Sequence, residues 1–256
     1  MLGKASTDAE AAPHPLFKLL LSIRQRGVVP TLRRIGSMLP WQVRLYADRR
    51  FDRKHGVDTA GLVAFDDLGV NPDYQSTALH YEPTPAAAIR AMLRRLPIRH
   101  SDYTFVDYGS GKGRVLLVAS LFPFRKIIGV EFSAKLHAIA ESNIRKWQHV
   151  RHRCKEIVCL EMSAEDFPLP DGPVVLFFFT PFRPPVSTNV IGAIRTSLAQ
   201  SSRAIEVRYY GMDLEFIDLL QSLGLNCEVI YDRRPLAALG PRYTGRRFTN
   251  MPLEAR

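Results

Sequence analysis

Short apolar runs alternate with amphipathic stretches over the last three fifths of the chain. Runs of strand length occupy residues 103–107, 126–131, 156–160, 174–179, 204–209, 227–231 and about 246–251. Between most of them lie stretches with helical spacing, at 114–121, 134–148, 186–198 and 213–223. In the second of these Leu136, Ile139, Ala140, Ile144 and Trp147 trace one apolar stripe. Strand and helix in alternation predict an α/β fold: a seven-stranded, mostly parallel, twisted sheet with helices on both faces. No helical pattern separates the last two runs, only a stretch with Pro235, Gly240 and Pro241, so these two strands are predicted to pair antiparallel at the sheet edge.

Upstream the pattern changes. Residues 1 to about 15 are small and polar and predict a disordered start. Residues 16–39 are basic and amphipathic, and Gly27 and Pro30 divide them into two short predicted helices. Residues 51–74 are rich in turn signals. Thr84 and Pro85 then read as the N-cap and first position of a helix whose buried face is Ile89, Met92, Leu93 and Leu96. The expected division is a basic, partly helical extension and linker at 1–75 and a main domain at 76–256.

Composition refines this picture. The chain has 256 residues, 46% hydrophobic and 23% charged, enough for one substantial core. Its formal charge of +10 favours anionic partners: nucleic acid, an acidic protein or an anionic membrane face. Through Lys54 eleven basic side chains face four acidic ones, so the extension carries much of that excess. It reads either as a docking element or as a helical lid with its apolar side packed on the main domain, and the second is the commoner use of an apolar helical face. Three cysteines without a CxxC pair predict reduced thiols and a cytoplasmic setting. No apolar run approaches the roughly 20 residues of a membrane span, and the first ten residues lack the apolar core of a secretory signal.

The chemistry concentrates at Tyr103–Arg114, YTFVDYGSGKGR. An apolar run ends in Asp107, a bend with Gly109, Gly111 and Gly113 follows, and a helical run begins. Strand, glycine bend and helix let backbone approach a nucleotide-type ligand. The dinucleotide spacing requires glycine where Arg114 stands, and a phosphate-cradling loop requires Ser or Thr where Gly113 stands. The next strand ends in Glu131, 24 residues after Asp107, where a carboxylate can accept from two adjacent ribose hydroxyls. A ligand-free tight turn is the plainer reading of the glycines alone; Glu131 argues for a nucleoside.

The DxGxGxG pattern resembles motif I of the class I S-adenosylmethionine-dependent methyltransferases. In layout, YEPT at 81–84, VDYGSGKG, GVEF, IRKW at 144–147 and a Phe-rich fourth strand resemble the seven-stranded, non-SET lysine methyltransferases. The resemblance implies S-adenosylmethionine as cofactor, contacted by Tyr81, Thr84, Asp107, Gly109, Ser110, Gly111, Gly113, Glu131 and Phe132. After the third strand the family often has an acid then Ala, meeting the adenine amino group; here Ser163 and Ala164 stand there, with Glu165 as a substitute, and a surface turn is the alternative. Thr180-Pro181-Phe182 resembles the (Asn/Asp)-Pro-Pro-aromatic motif of amino-methylating relatives, with Thr in the amide's place, and implies these three as catalytic residues holding an acceptor nitrogen.

The leading expectation is methyl transfer to an amine nitrogen of a protein or small molecule. An RNA methyltransferase, favoured by charge, and a non-catalytic S-adenosylmethionine-binding protein are the alternatives, and a nicotinamide oxidoreductase ranks below them. Peripheral membrane contact through the N-terminal segment is left open. No metal site is expected: His149, His152 and Cys154 lack zinc spacing and stand among arginines.

Overall fold

The computed structural model describes Arg24 and residues 28–70, 79–179, 182–232 and 243–252. Seven strands form one sheet in the order β3-β2-β1-β4-β5-β7-β6. They are β1 (Thr104–Tyr108), β2 (Lys126–Glu131), β3 (Ile157–Glu161), β4 (Val174–Phe178), β5 (Ile205–Gly211), β6 (Asn226–Asp232) and β7 (Thr244–Thr249). The first five pair parallel, and β7 runs antiparallel between β5 and β6. The last two strands thus pair antiparallel at the sheet edge as the sequence predicts, with β6 outermost and β7 one place inside it.

Burial explains the order. Every residue of β1 and β4 is buried, which suits a continuous apolar run to the middle of a two-faced sheet. Alternate side chains serve opposite cores. Phe105, Ile127, Val175 and Phe177 point to one face, and Val106, Ile128, Leu176 and Phe178 to the other. The first face is covered by α2 (Ala86–Arg94), α3 (Arg114–Ala119) and the end of α4 (Ala134–Lys146). The second is covered by α5 (Val186–Gln200) and α6 (Leu214–Gln221). Truncating a fully buried ring such as Phe177 to Ala should cost about 3–5 kcal/mol. Asp213 caps α6 by accepting from the N–H groups of Glu215 and Phe216.

Two local expectations are corrected. A helix, α1 (Val28–His55), runs unbroken past Leu39, where the second short helix was expected to stop, and takes in residues 51–55, which read as turn-rich; the expected disordered start and first short helix lie outside the described residues apart from Arg24, which is helical. Pro30 falls in its first turn, where the missing N–H has no helical partner to lose. Its last turns are held from outside, since Asp48 and Phe51 are buried. At α2, Pro85 and not Thr84 occupies the N-cap, its carbonyl accepting from Ala88 and Ile89. Thr84 is buried and turned to the cavity described next.

Candidate functional site

The carboxyl ends of β1 and β2 meet over the glycine bend. Gly109, Gly111 and Gly113 have φ of +77°, +55° and +82°, the left-handed region that a side chain disfavours. The N–H groups of Gly109 and Ser110 donate to the Val130 carbonyl at 2.9 and 3.0 Å, fixing the bend against β2. Glu131 faces the bend. Its Oε2 accepts from the Gly111 N–H at 2.8 Å and its Oε1 from the Ser133 N–H at 2.9 Å.

The two carboxylates are both buried. Burial first, and then the Glu131 charge, push the Asp107 carboxyl well above the usual carboxylate range. Burial also raises Glu131, against the lowering effect of its backbone hydrogen bonds. Asp107 Oδ2 is buried without a hydrogen-bond partner. A buried acceptor left so is costly, and a cationic donor would relieve it.

These groups form one end of a cavity of about 560 Å³, within the size range of small-molecule sites. Tyr81, Thr84, Asp107, Gly109, Ser110, Gly111, Glu131, Phe132, Ser163, Ala164 and Phe182 all border it. Tyr81 lies over the bend: a Cβ on Gly111 would sit 2.4 Å from its ring. Its hydroxyl donates to the Thr59 carbonyl at 2.7 Å, and burial raises its pKa, so it stays protonated.

Two expected residues lie elsewhere. Gly113 faces α4, where a Cβ would meet Ala140 Cβ at 3.1 Å; it allows helix packing and does not line the cavity. Glu165 sits in the turn Ala164–Asp166 and accepts from Asn189 Nδ2 at 2.7 Å, which draws it toward α5, and Asp166 lines the cavity in its place. Thr180 and Pro181 lie outside the described residues.

The opposite end gathers Glu82, from the segment expected beside the site, with residues to which the sequence assigned no role there. Glu82 pairs with Arg44 of α1 at 2.5 Å, accepts from the Tyr243 hydroxyl at 3.3 Å, and lies 3.7 Å from His80 Nε2. Arg44 also donates to the Pro83 carbonyl at 2.7 Å. Tyr243 stacks on Tyr210 at 5.5 Å and meets Phe179 edge-on at 5.6 Å. Burial and the Glu82 charge raise its pKa, so it remains a donor. Met212 completes this wall, half-exposed at the rim.

Beneath the bend, its two cationic side chains are spent on the protein itself. Lys112 Nζ donates to Asp58 at 2.9 Å and to the Ala60 carbonyl at 3.2 Å. Arg114, buried, pairs with Asp48, lies 3.5 Å from Asp52 and donates from Nε to Thr59 Oγ1 at 2.7 Å. Asp52 in turn accepts from the N–H groups of Thr59 and Ala60. Asn143 clasps the same loop through Asp58 and the Lys112 carbonyl. One signal could have found this: Asp48 and Asp52 are the only acids of α1, spaced i, i+4 in a basic stretch.

Among the described residues no His, Cys, Asp and Glu are grouped to hold a metal ion, and no helix is long and apolar enough to cross a membrane. His149 and His152 engage the backbone carbonyls of Lys146 and Val150.

No family model matches the chain, and no curated protein matches it in sequence. Solved structures do. It is similar to a precorrin-6y C5,15-methyltransferase from Geobacter metallireducens, with 18% identity over 66% of this chain and 87% of that one and a TM-score of 0.43. A ribosomal protein L11 methylase from Lactobacillus delbrueckii subsp. bulgaricus gives 14% identity, 66% and 79% coverage and a TM-score of 0.46. An RNA methyltransferase from Salinibacter ruber, in complex with S-adenosyl-L-homocysteine, gives 17%, 67% and 97% coverage and 0.44. At these identities and scores the fold rests on the chain's own strand order, a seven-stranded α/β sheet with one antiparallel strand inserted beside its edge.

Proposed function

We propose that this protein is an S-adenosylmethionine-dependent methyltransferase acting on an amine nitrogen of a protein or small molecule. The observation that carries the reading is the pair of buried strand-end carboxylates on a glycine bend, one with an oxygen lacking any partner. The cofactor's parts fit what is present. Asp107 Oδ2 would take its ammonium group. Glu131 would take the ribose hydroxyls, since a carboxylate offers about four acceptor positions and its backbone bonds, from Gly111, Phe132 and Ser133, leave capacity for a further donor. Ser163, Ala164 and Asp166 border the cavity where the base would lie. Bound there, S-adenosylmethionine supplies a methyl group already activated on a sulfonium sulfur.

The protein's own part is to position the acceptor and exclude water. The far wall offers rings from Phe179 and Tyr243 and the Glu82 carboxylate, a combination that attracts a cationic amine and holds it. Such an amine must lose a proton before its lone pair can attack. Glu82 and His80 are the titratable groups on that wall. Thr180 remains the sequence-based candidate for holding the nitrogen: Thr180→Ala should spare cofactor binding and slow turnover.

Incubating a cell extract with tritiated S-adenosylmethionine and the protein, then separating protein, RNA and small molecules, tests the acceptor class. Label in RNA alone would replace the amine reading with nucleic-acid methylation, which the charge on α1 favours as the second reading.

A further inference from the structure

Folding sorts the charges of α1 by sign. Its acids, Asp48 and Asp52, are turned inward to Arg114 and Thr59, and Arg44 is taken by Glu82. Arg49, Arg50, Arg53 and Lys54 are left exposed, with no ion pair or hydrogen bond among the described residues. They share the outer face with Tyr46 and Val43, 63% and 61% exposed. Tyr46, Arg49, Asp52 and Arg53 border one shallow depression, so an aromatic face and two guanidinium groups open on the same surface.

The positive surface continues past the helix. His55 packs on Trp147 at 4.7 Å. Burial first, then the charges of Lys54, Arg90 and His149, lower its pKa, which places cations from α1, α2 and the turn after α4 around it. Arg151 and Arg153 of that turn are exposed.

A lipid surface fits this face poorly. A helix lying in a membrane interface turns its apolar side outward. Here the buried ring, Phe51, points inward, with Arg114 5.3 Å above it and Trp147 stacked at 5.8 Å. Cations interleaved with an exposed aromatic ring suit a strand of phosphates and unpaired bases. We propose that the outer face of α1 binds single-stranded nucleic acid, with Tyr46 stacking on a base and Arg49, Arg50, Arg53 and Lys54 meeting phosphates. This binding does not depend on the methyl-transfer reading.

The test uses the full chain and a fluorescein-labelled single-stranded 20-mer, as RNA and as DNA, read by anisotropy between 50 and 200 mM KCl. Four phosphate contacts predict a slope of about −3 in log affinity against log salt, or roughly 50-fold weakening across that range. Arg49→Gln with Arg53→Gln should halve the slope. Tyr46→Ala should weaken binding at least about fivefold and leave the slope alone. All three side chains are exposed, so an unchanged melting temperature shows that folding is intact. Binding of both nucleic acids supports the proposal, and RNA alone assigns the 2′-hydroxyl a part. Absent binding, a slope untouched by the arginine changes, indifference to Tyr46→Ala, or tighter binding to phosphatidylserine vesicles or polyglutamate would overturn it.

Discussion

The two ends of the cavity are made differently. At the Asp107 end the recognition groups are backbone and carboxylate, fixed by hydrogen bonds within one strand–bend–helix unit and its neighbour strand. At the Glu82 end they are side chains gathered from α1, the segment before α2, the end of β4 and the start of β7. A local unit can be specified by one motif and suits a ligand that does not change. An assembled wall can be altered one residue at a time, which suits an acceptor that differs between enzymes. The difference predicts that changes at the first end abolish cofactor binding and changes at the second spare it.

Gly111→Ala should have the largest effect. Its φ of +55° penalises any side chain, and the new Cβ would drive the Tyr81 ring off the bend. We expect S-adenosylmethionine affinity to fall at least about a hundredfold, equivalent to about 3 kcal/mol, by calorimetry. Asp107→Asn should follow, with a loss of about ten- to a hundredfold for a charged hydrogen bond.

Asp107 also gives a pH signature. Its folded pKa lies above the unfolded value, so the folded state holds a proton that the unfolded state has released. Its contribution to the stability of the cofactor-free protein is therefore fully present at acid pH and falls away as pH rises from about 4 through the elevated pKa. Asp107→Asn should flatten that fall in a series of denaturant titrations.

At the other end, Glu82→Gln should leave cofactor affinity within about twofold and reduce turnover about tenfold or more, as expected of a group acting on the acceptor. Arg44→Met should raise KM for the acceptor by releasing Glu82, a smaller effect because the pair is partly exposed. Glu165→Gln should change neither binding nor turnover, since its carboxylate is held by Asn189 away from the cavity.

The same contrast governs what the sequence could reveal. Asp107, Gly109, Gly111 and Glu131 were legible because strand period, glycine spacing and one acid 24 residues on are local patterns. The mostly parallel seven-stranded sheet followed from βα alternation, and β4 from its unbroken apolar run, whereas the order of the strands was not read from the sequence. Glu82 was legible as part of the segment beside the site, but its partners Tyr243 and Arg44 were not, because their pairing spans 161 and about 40 residues and depends on how the sheet closes. Gly113 fits the motif yet serves packing against Ala140, a distinction that spacing alone does not carry. The continuation of α1 past Leu39 to His55 was missed because local turn signals suggested an end there, whereas the ties of Asp48 and Asp52 to Arg114 are tertiary.

The most direct test is calorimetric titration of S-adenosylmethionine into the wild-type protein and Asp107→Asn at pH 7. The account predicts one site in the wild type and binding weaker by about ten- to a hundredfold in the variant, which lacks the carboxylate that would meet the ammonium. No heat with S-adenosylmethionine, or equal affinity in both proteins, would contradict it.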